Sequence, residues 1–235
     1  MCISNLSKLA QPYKRILKQK GFSLPELIVV IAIFVIISSV ALFNQGKLSS
    51  DVLITNMAYE VGLAVREAQV YGIGVRGEDA GTTFTGQYGA HFSVQDDTST
   101  RQILVYSDKN EDSVFTPGEE KSIYAFNNQR GNRITALCVG DLPEGVACDS
   151  DEAKSQGSNG TNYRVDWLDI VFKRPNPAAL MYGPAANGGG SEQKFGKAYI
   201  VLNSLDNADC RVVIVESTGQ IRVEDSSKGS CTKTP

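Results

Sequence analysis

The chain of 235 residues has one histidine, His91, and one tryptophan, Trp167. With a single histidine it has no His pair to hold a catalytic metal. It also has no Gly-x-Ser-x-Gly and no phosphate loop, so the hydrolase and nucleotide signatures are missing. His91 falls in an expected strand, Gly86–Val94, and reads as a structural residue. Trp167 sits in Tyr163–Phe172, another expected strand, as a core residue. Asp166 and Asp169 are three apart, so on a strand they face opposite sides and make no carboxylate pair. The pattern is that of a protein acted upon, not of an enzyme.

Charge is missing in two places that matter. Residues 1–21 contain no acid but carry Lys8, Lys14, Arg15, Lys18 and Lys20. Leu27–Phe43 contains no charge of either sign. At 1.5 Å per residue that run spans roughly 26 Å, and Phe22–Glu26 completes a ~30 Å bilayer core. The basic segment keeps to the cytoplasmic side, so everything after Asn44 is expected outside the cytoplasm. Glu26 stands at the head of the run, although a carboxylate at the bilayer centre costs about 2.5–3.5 kcal/mol. Ser23-x-x-Glu26 gives it a local role as a capping box, with Pro25 tolerated in the first turn.

The segment Lys18-Gln19-Lys20-Gly21-Phe22-Ser23-Leu24-Pro25-Glu26-Leu27, leading into the apolar run, resembles a type IV prepilin N-terminus. An ordinary secretory signal is processed after its apolar stretch; here the processing site lies before it. The resemblance implies that prepilin peptidase cuts between Gly21 and Phe22 and that Phe22 becomes the N-methylated terminus. It also implies that Glu26 meets the amine of a neighbouring subunit during filament assembly. Pro25 departs from the aliphatic residue usual in that family. Two other readings stay open: a plain secretory signal cut after Ser39-Val40-Ala41, and an uncleaved signal anchor.

Beyond the membrane run, Leu53, Met57, Val61, Ala64, Ala68 and Tyr71 recur in steps of three and four. They predict one face of an amphipathic helix, ended at Gly72-Ile73-Gly74. Gly46 and Ser49-Ser50-Asp51 mark a weak point between the halves. Val75, Gly86–Val94, Arg101–Ser107, Lys121–Asn127, Arg133–Cys138, Tyr163–Phe172, Lys197–Asn203, Arg211–Glu216 and Gln220–Glu224 read as short strands. Asn176–Gln193, rich in Gly, Pro and Ala, reads as a long surface loop. The fold class expected is α+β and pilin-like, a long N-terminal helix packed on antiparallel sheet. Its parts are a leader (1–21), a membrane or filament-core helix (22–44), an amphipathic half (45–72) and an extracytoplasmic β-rich domain (73–235).

Ala64-Val65-Arg66-Glu67-Ala68, Val75, Asp169–Phe172 and Ser217–Val223 extend the resemblance to the GspH/FimT-like minor pilins and pseudopilins. That group implies a subunit of a type II secretion pseudopilus in the inner membrane, with other pilins and membrane lipid as partners. A type IV pilus subunit serving adhesion or DNA uptake is the alternative, and a secreted or tethered β-domain binding module is the different-class one. Nucleic acid is disfavoured as a partner. Gly219-Gln220-Ile221-Arg222 lacks one arginine of the DNA-uptake pattern. Without the leader, 18 Lys and Arg face 26 Asp and Glu, a net charge of −8 before the new amine is counted.

Four cysteines outlast the leader: Cys138, Cys148, Cys210 and Cys231. Their spacings do not suit zinc, and an exported domain permits disulfides. Three connectivities exist; Cys138–Cys148 and Cys210–Cys231 each close a short polar loop and are preferred. One further segment suggests a ligand. Asp108, Asn110, Asp112, the Val114 carbonyl and Glu119 fall at positions 1, 3, 5, 7 and 12 of a calcium loop. Ser113 stands where such a loop has glycine, and strands replace the flanking helices. An acidic, solvated hairpin tip is the competing reading.

Overall fold

The structure, a computed structural model, describes residues 21–74, 86–126, 131–142, 146–148, 150, 163–184, 193–205 and 209–225, without the side chains of residues 41, 43–49 and 193. Residues 1–20 of the expected leader, Val75 and Cys231 lie outside the described residues. The chain divides into two compact units, Met1–Gly46 and Lys47–Pro235. Helix α1 spans Leu24–Ile73, and everything after it is antiparallel β-structure, an α+β pilin-like arrangement.

Eleven strands follow: β1 (Gln87–Ser93), β2 (Gln102–Asp108), β3 (Glu120–Ala125), β4 (Arg133–Val139), β5 (Arg164–Val165), β6 (Trp167–Lys173), β7 (Ala179–Gly183), β8 (Gln193–Phe195), β9 (Lys197–Asn203), β10 (Cys210–Glu216) and β11 (Ile221–Asp225). They form a six-stranded sheet, β3-β2-β1-β6-β7-β8, and a five-stranded sheet, β11-β10-β9-β4-β5.

In the second unit α1 supplies a buried stripe. Ile54, Met57, Ala58, Val61, Ala64, Val65 and Ala68 are fully buried and join one core with residues of both sheets. Every second residue of the strands faces this core: Leu168, Ile170 and Phe172 of β6, and Ala198, Ile200 and Leu202 of β9. The odd residues of β9, Tyr199 and Val201, enter a second cluster with Ala136, Cys138, Cys148, Val212 and Ile214. The five-stranded sheet is therefore buried on both faces, which explains its nearly unbroken apolar strands.

The helix ends at Ile73, inside the expected Gly72-Ile73-Gly74 stop, and two other expectations change. Gly72 is there for closeness, because a Cβ would come within 2.4 Å of the Phe172 carbonyl oxygen. The expected strand Tyr163–Phe172 breaks at exposed Asp166 into β5 and β6, which belong to different sheets. The expected loop Asn176–Gln193 contains β7, whose Ala179 and Met181 are buried in the main core. Glycine and proline on either side hid that five-residue alternation.

Candidate functional site

The N-terminal segment begins with exposed Gly21 and with Phe22, which is 79% exposed. The Ser23 hydroxyl donates to Glu26 Oε2 at 3.4 Å, and the Leu27 amide donates to the Ser23 carbonyl at 3.1 Å. The hydroxyl is thus turned to the carboxylate instead of to a backbone amide, as a capping box would have it. Leu27, Ile28, Val29, Val30, Ile31, Ile33, Phe34, Val35, Ile36 and Ile37 are each more than half exposed, as are Val40 and Leu42. A row of this kind is the mark of a surface that something else covers. Among the described residues no helix is long and apolar enough to cross a membrane. The described side chains of the run stop at Val40 and Leu42.

The acidic segment is the connection between β2 and β3. Asp108 closes β2 and is fully buried; its Oδ2 accepts the Ser113 amide at 2.8 Å. Burial pushes its carboxyl above the usual range, and the charges of Asp112 and Glu119 add to this against the pull of the Ser113 amide. Asn110 Oδ1 accepts the Asp112 amide at 3.2 Å, and Asp112 Oδ1 accepts the Val114 amide at 2.9 Å. Glu119, 6% exposed, accepts the amides of Lys109 at 3.0 Å and Thr116 at 2.9 Å. Glu111 and Ser113 have φ of 58° and 70°, left-handed values that glycine adopts more easily. Among the described residues no group of three or more His, Cys, Asp or Glu converges to hold a metal.

Behind the loop, His91 and Asp169 face each other across β1 and β6, with His91 Nδ1 2.8 Å from Asp169 Oδ1. Asp169 is fully buried, and burial pushes its carboxyl up while the His91 bond pulls it down. Its other oxygen accepts the Phe115 amide at 3.2 Å. Trp167 is half-buried beside them and lines a small cavity with His91, Val114 and Asp169, so it is not a core residue. Ser93, on the same strand, accepts the Gln95 amide. The pair is committed to tying the loop to the sheet. Asp169 had no sequence signal except its place in a buried strand.

Cys138 and Cys148 form a disulfide, and both are fully buried against the outer face of the five-stranded sheet. Their loop therefore covers an apolar surface. Cys210 is disulfide-bonded, and its expected partner Cys231 lies outside the described residues. Arg222, the remaining cation of the Gly219–Arg222 stretch, is bonded by Glu216 and by Glu224, the latter at 2.9 Å. Glu216 above all raises its pKa. A guanidinium held by two carboxylates is poorly placed to neutralise a phosphate.

The curated proteins and the solved structures each give no match to the chain. One family model does match, the prokaryotic N-terminal methylation motif, over residues 16–42. The matched stretch takes in Gly21, Phe22, Glu26 and most of the exposed apolar row. It points to a structural subunit in preference to an enzyme. The chain carries the N-terminal methylation motif in the form consistent with a pilin or pseudopilin precursor of the prepilin type.

Proposed function

We propose that the chain is a minor pseudopilin, cut between Gly21 and Phe22 by prepilin peptidase, methylated on Phe22 and assembled into a type II secretion pseudopilus. The observation that carries this reading is the order of the N-terminal segment. Five basic residues without an acid precede Gly21-Phe22, Glu26 follows, and an exposed apolar row begins at once.

Before assembly, the uncharged Leu27–Phe43 holds the subunit in the inner membrane with its β-region outside the cytoplasm. Transfer from lipid to a bundle of like helices exchanges one apolar surrounding for another. Side-chain packing and the pairing of Glu26 with a neighbour's amine then set the direction. The acidic charge after leader removal and the engaged Arg222 favour a protein-export filament over a DNA-uptake one.

The test is intact mass and N-terminal peptide mapping of the protein from its native membrane fraction. A chain beginning at methylated Phe22 is expected. A chain starting near Asn44, or retaining Met1, would sink the filament reading. Crosslinking along Phe22–Leu48 to neighbouring subunits then separates a filament subunit from a tethered binding module.

A further inference from the structure

We propose that the cavity beside the β2–β3 connection binds one ring of a neutral sugar, a role independent of the filament reading. The cavity measures about 290 Å³ and is built on β1 and β6. The Val94 amide donates to the Asp166 carbonyl at 2.9 Å, so His91–Asp169 and Ser93–Trp167 are non-hydrogen-bonded pairs, in which facing side chains stand closest. Their strand neighbours Ala90, Phe92, Leu168 and Ile170 face the main core, so these four residues look the other way. Val114 and Phe115 of the connection and Gln95 beyond β1 complete the walls.

The lining selects the ligand. Among the described residues no lysine or arginine lines the cavity, so a phosphate or carboxylate finds no cation there. The one carboxylate is engaged inside the fold: Asp169 Oδ1 takes His91 Nδ1 and Oδ2 takes the Phe115 amide. An ammonium therefore has no open counter-charge, and a neutral ligand fits best. Trp167 and Phe115 give it flat apolar surface, while His91, Ser93 and Gln95 give it hydrogen bonds. With Nδ1 held by Asp169, His91 Nε2 has no hydrogen-bond partner among the described residues. A wholly apolar guest would leave these polar groups unpaired, which is unfavourable. A pyranose has both parts, a C–H face for the aromatic rings and hydroxyls for the polar groups.

The walls are set before a ligand arrives. Ser113 Oγ donates to Gln87 at 3.1 Å and the Phe115 amide to Asp169 at 3.2 Å, which fastens the connection to the sheet. The Phe115 ring lies 4.7 Å from the His91 ring, so each fixes the other. Ligand cavities run from about 300 to 1,000 Å³, and one at the lower end takes a single ring. The expected affinity is weak, a Kd on the order of 10⁻³ M.

Trp167 is the one tryptophan of the chain, so its fluorescence reports on this cavity alone. The experiment is titration of the full chain, in a polyoxyethylene detergent without a sugar head group, with glucose, galactose, mannose and N-acetylglucosamine. Sodium acetate, choline chloride and phenol serve as anionic, cationic and aromatic probes. A saturable change in Trp167 emission is expected with at least one sugar. Gln95→Ala, at an exposed position, and Ser93→Ala are expected to weaken that sugar roughly three- to tenfold, one hydrogen bond each, while Tm stays within a few degrees of wild type. No saturable response to any of the four sugars, unchanged affinity in both variants, or tighter binding of acetate, choline or phenol would each overturn the site.

Discussion

Gln69 on α1 donates to the Gly219 carbonyl at 3.1 Å and, with the same amide group, to the Pro177 carbonyl at 3.0 Å. One side chain therefore locks the helix to the β10–β11 turn and to the β6–β7 connection. Gly219 has φ of +86°, and a Cβ there would lie 2.2 Å from the Pro177 oxygen and 2.6 Å from Gln69 Nε2. Gly219→Ala is expected to cost about 2–4 kcal/mol, a fall in Tm of roughly 4–16 °C. Gly118→Ala is the control: its φ is +103°, but no atom stands within 4 Å of the new Cβ. It carries only the backbone term of about 1–2 kcal/mol. Equal losses in the two variants would show that the Gln69 junction contributes nothing.

Two helical glycines should respond with opposite signs. Alanine is better than glycine in a helix by about 1 kcal/mol. At Gly62 a Cβ meets only Ile221 Cγ2 at 3.9 Å, so Gly62→Ala is expected to raise stability by up to about 1 kcal/mol. At Gly72 the Phe172 backbone is in the way, and Gly72→Ala is expected to lower stability by about 1–3 kcal/mol despite the propensity. Denaturant melts of both variants measure the contrast.

Glu67 of α1 accepts from the Tyr124 hydroxyl and from Ser122 on β3. The bond to Glu67, then burial, pushes the Tyr124 pKa from 10.0 to about 12. A raised pKa means that the folded state favours the protonated phenol. The stabilisation is complete below pH 10 and is lost as pH climbs from 10 through about 12. Stability of the wild type should therefore fall more steeply over that window than that of Tyr124→Phe. Tyr106, raised chiefly by its own burial, titrates in both proteins and cancels in the comparison. In Glu67→Gln, absorbance of the phenolate should appear at lower pH.

The Cys138–Cys148 bridge closes a loop of sequence separation 10 over the second apolar cluster. Loop-closure entropy puts its contribution at about 2–3 kcal/mol. Replacing both cysteines by alanine is expected to lower Tm by several degrees and to expose Tyr199 and Val201 to solvent. Hydrogen exchange should quicken in β4 and β9 before it does in β1 and β6. Uniform exchange across both sheets would contradict the local role of this loop.

The sequence by itself determined the features that depend on local order. The basic, acid-free residues 1–21, Gly21-Phe22, Glu26 and the uncharged Leu27–Phe43 are legible without a fold, because a peptidase and a bilayer read contiguous chain. Helix and most strands follow from periods of 3.6 and 2, and the loop oxygens from Asp108 to Glu119 follow from spacing. Three of the seven fully buried residues of the helical stripe were still missed: Ile54, Ala58 and Val65 are as buried as Met57 and Val61. Tertiary structure decided what depends on partners distant in the chain. It set β5 and β6 in different sheets, made β7 a strand, placed Asp169 opposite His91, and put Gly72 against Phe172. It also buried Asp108 at the end of β2, where its Oδ2 accepts the Ser113 amide. Burial and cross-strand pairing join residues scores of positions apart, and periodicity along one segment carries no record of what the other segment brings.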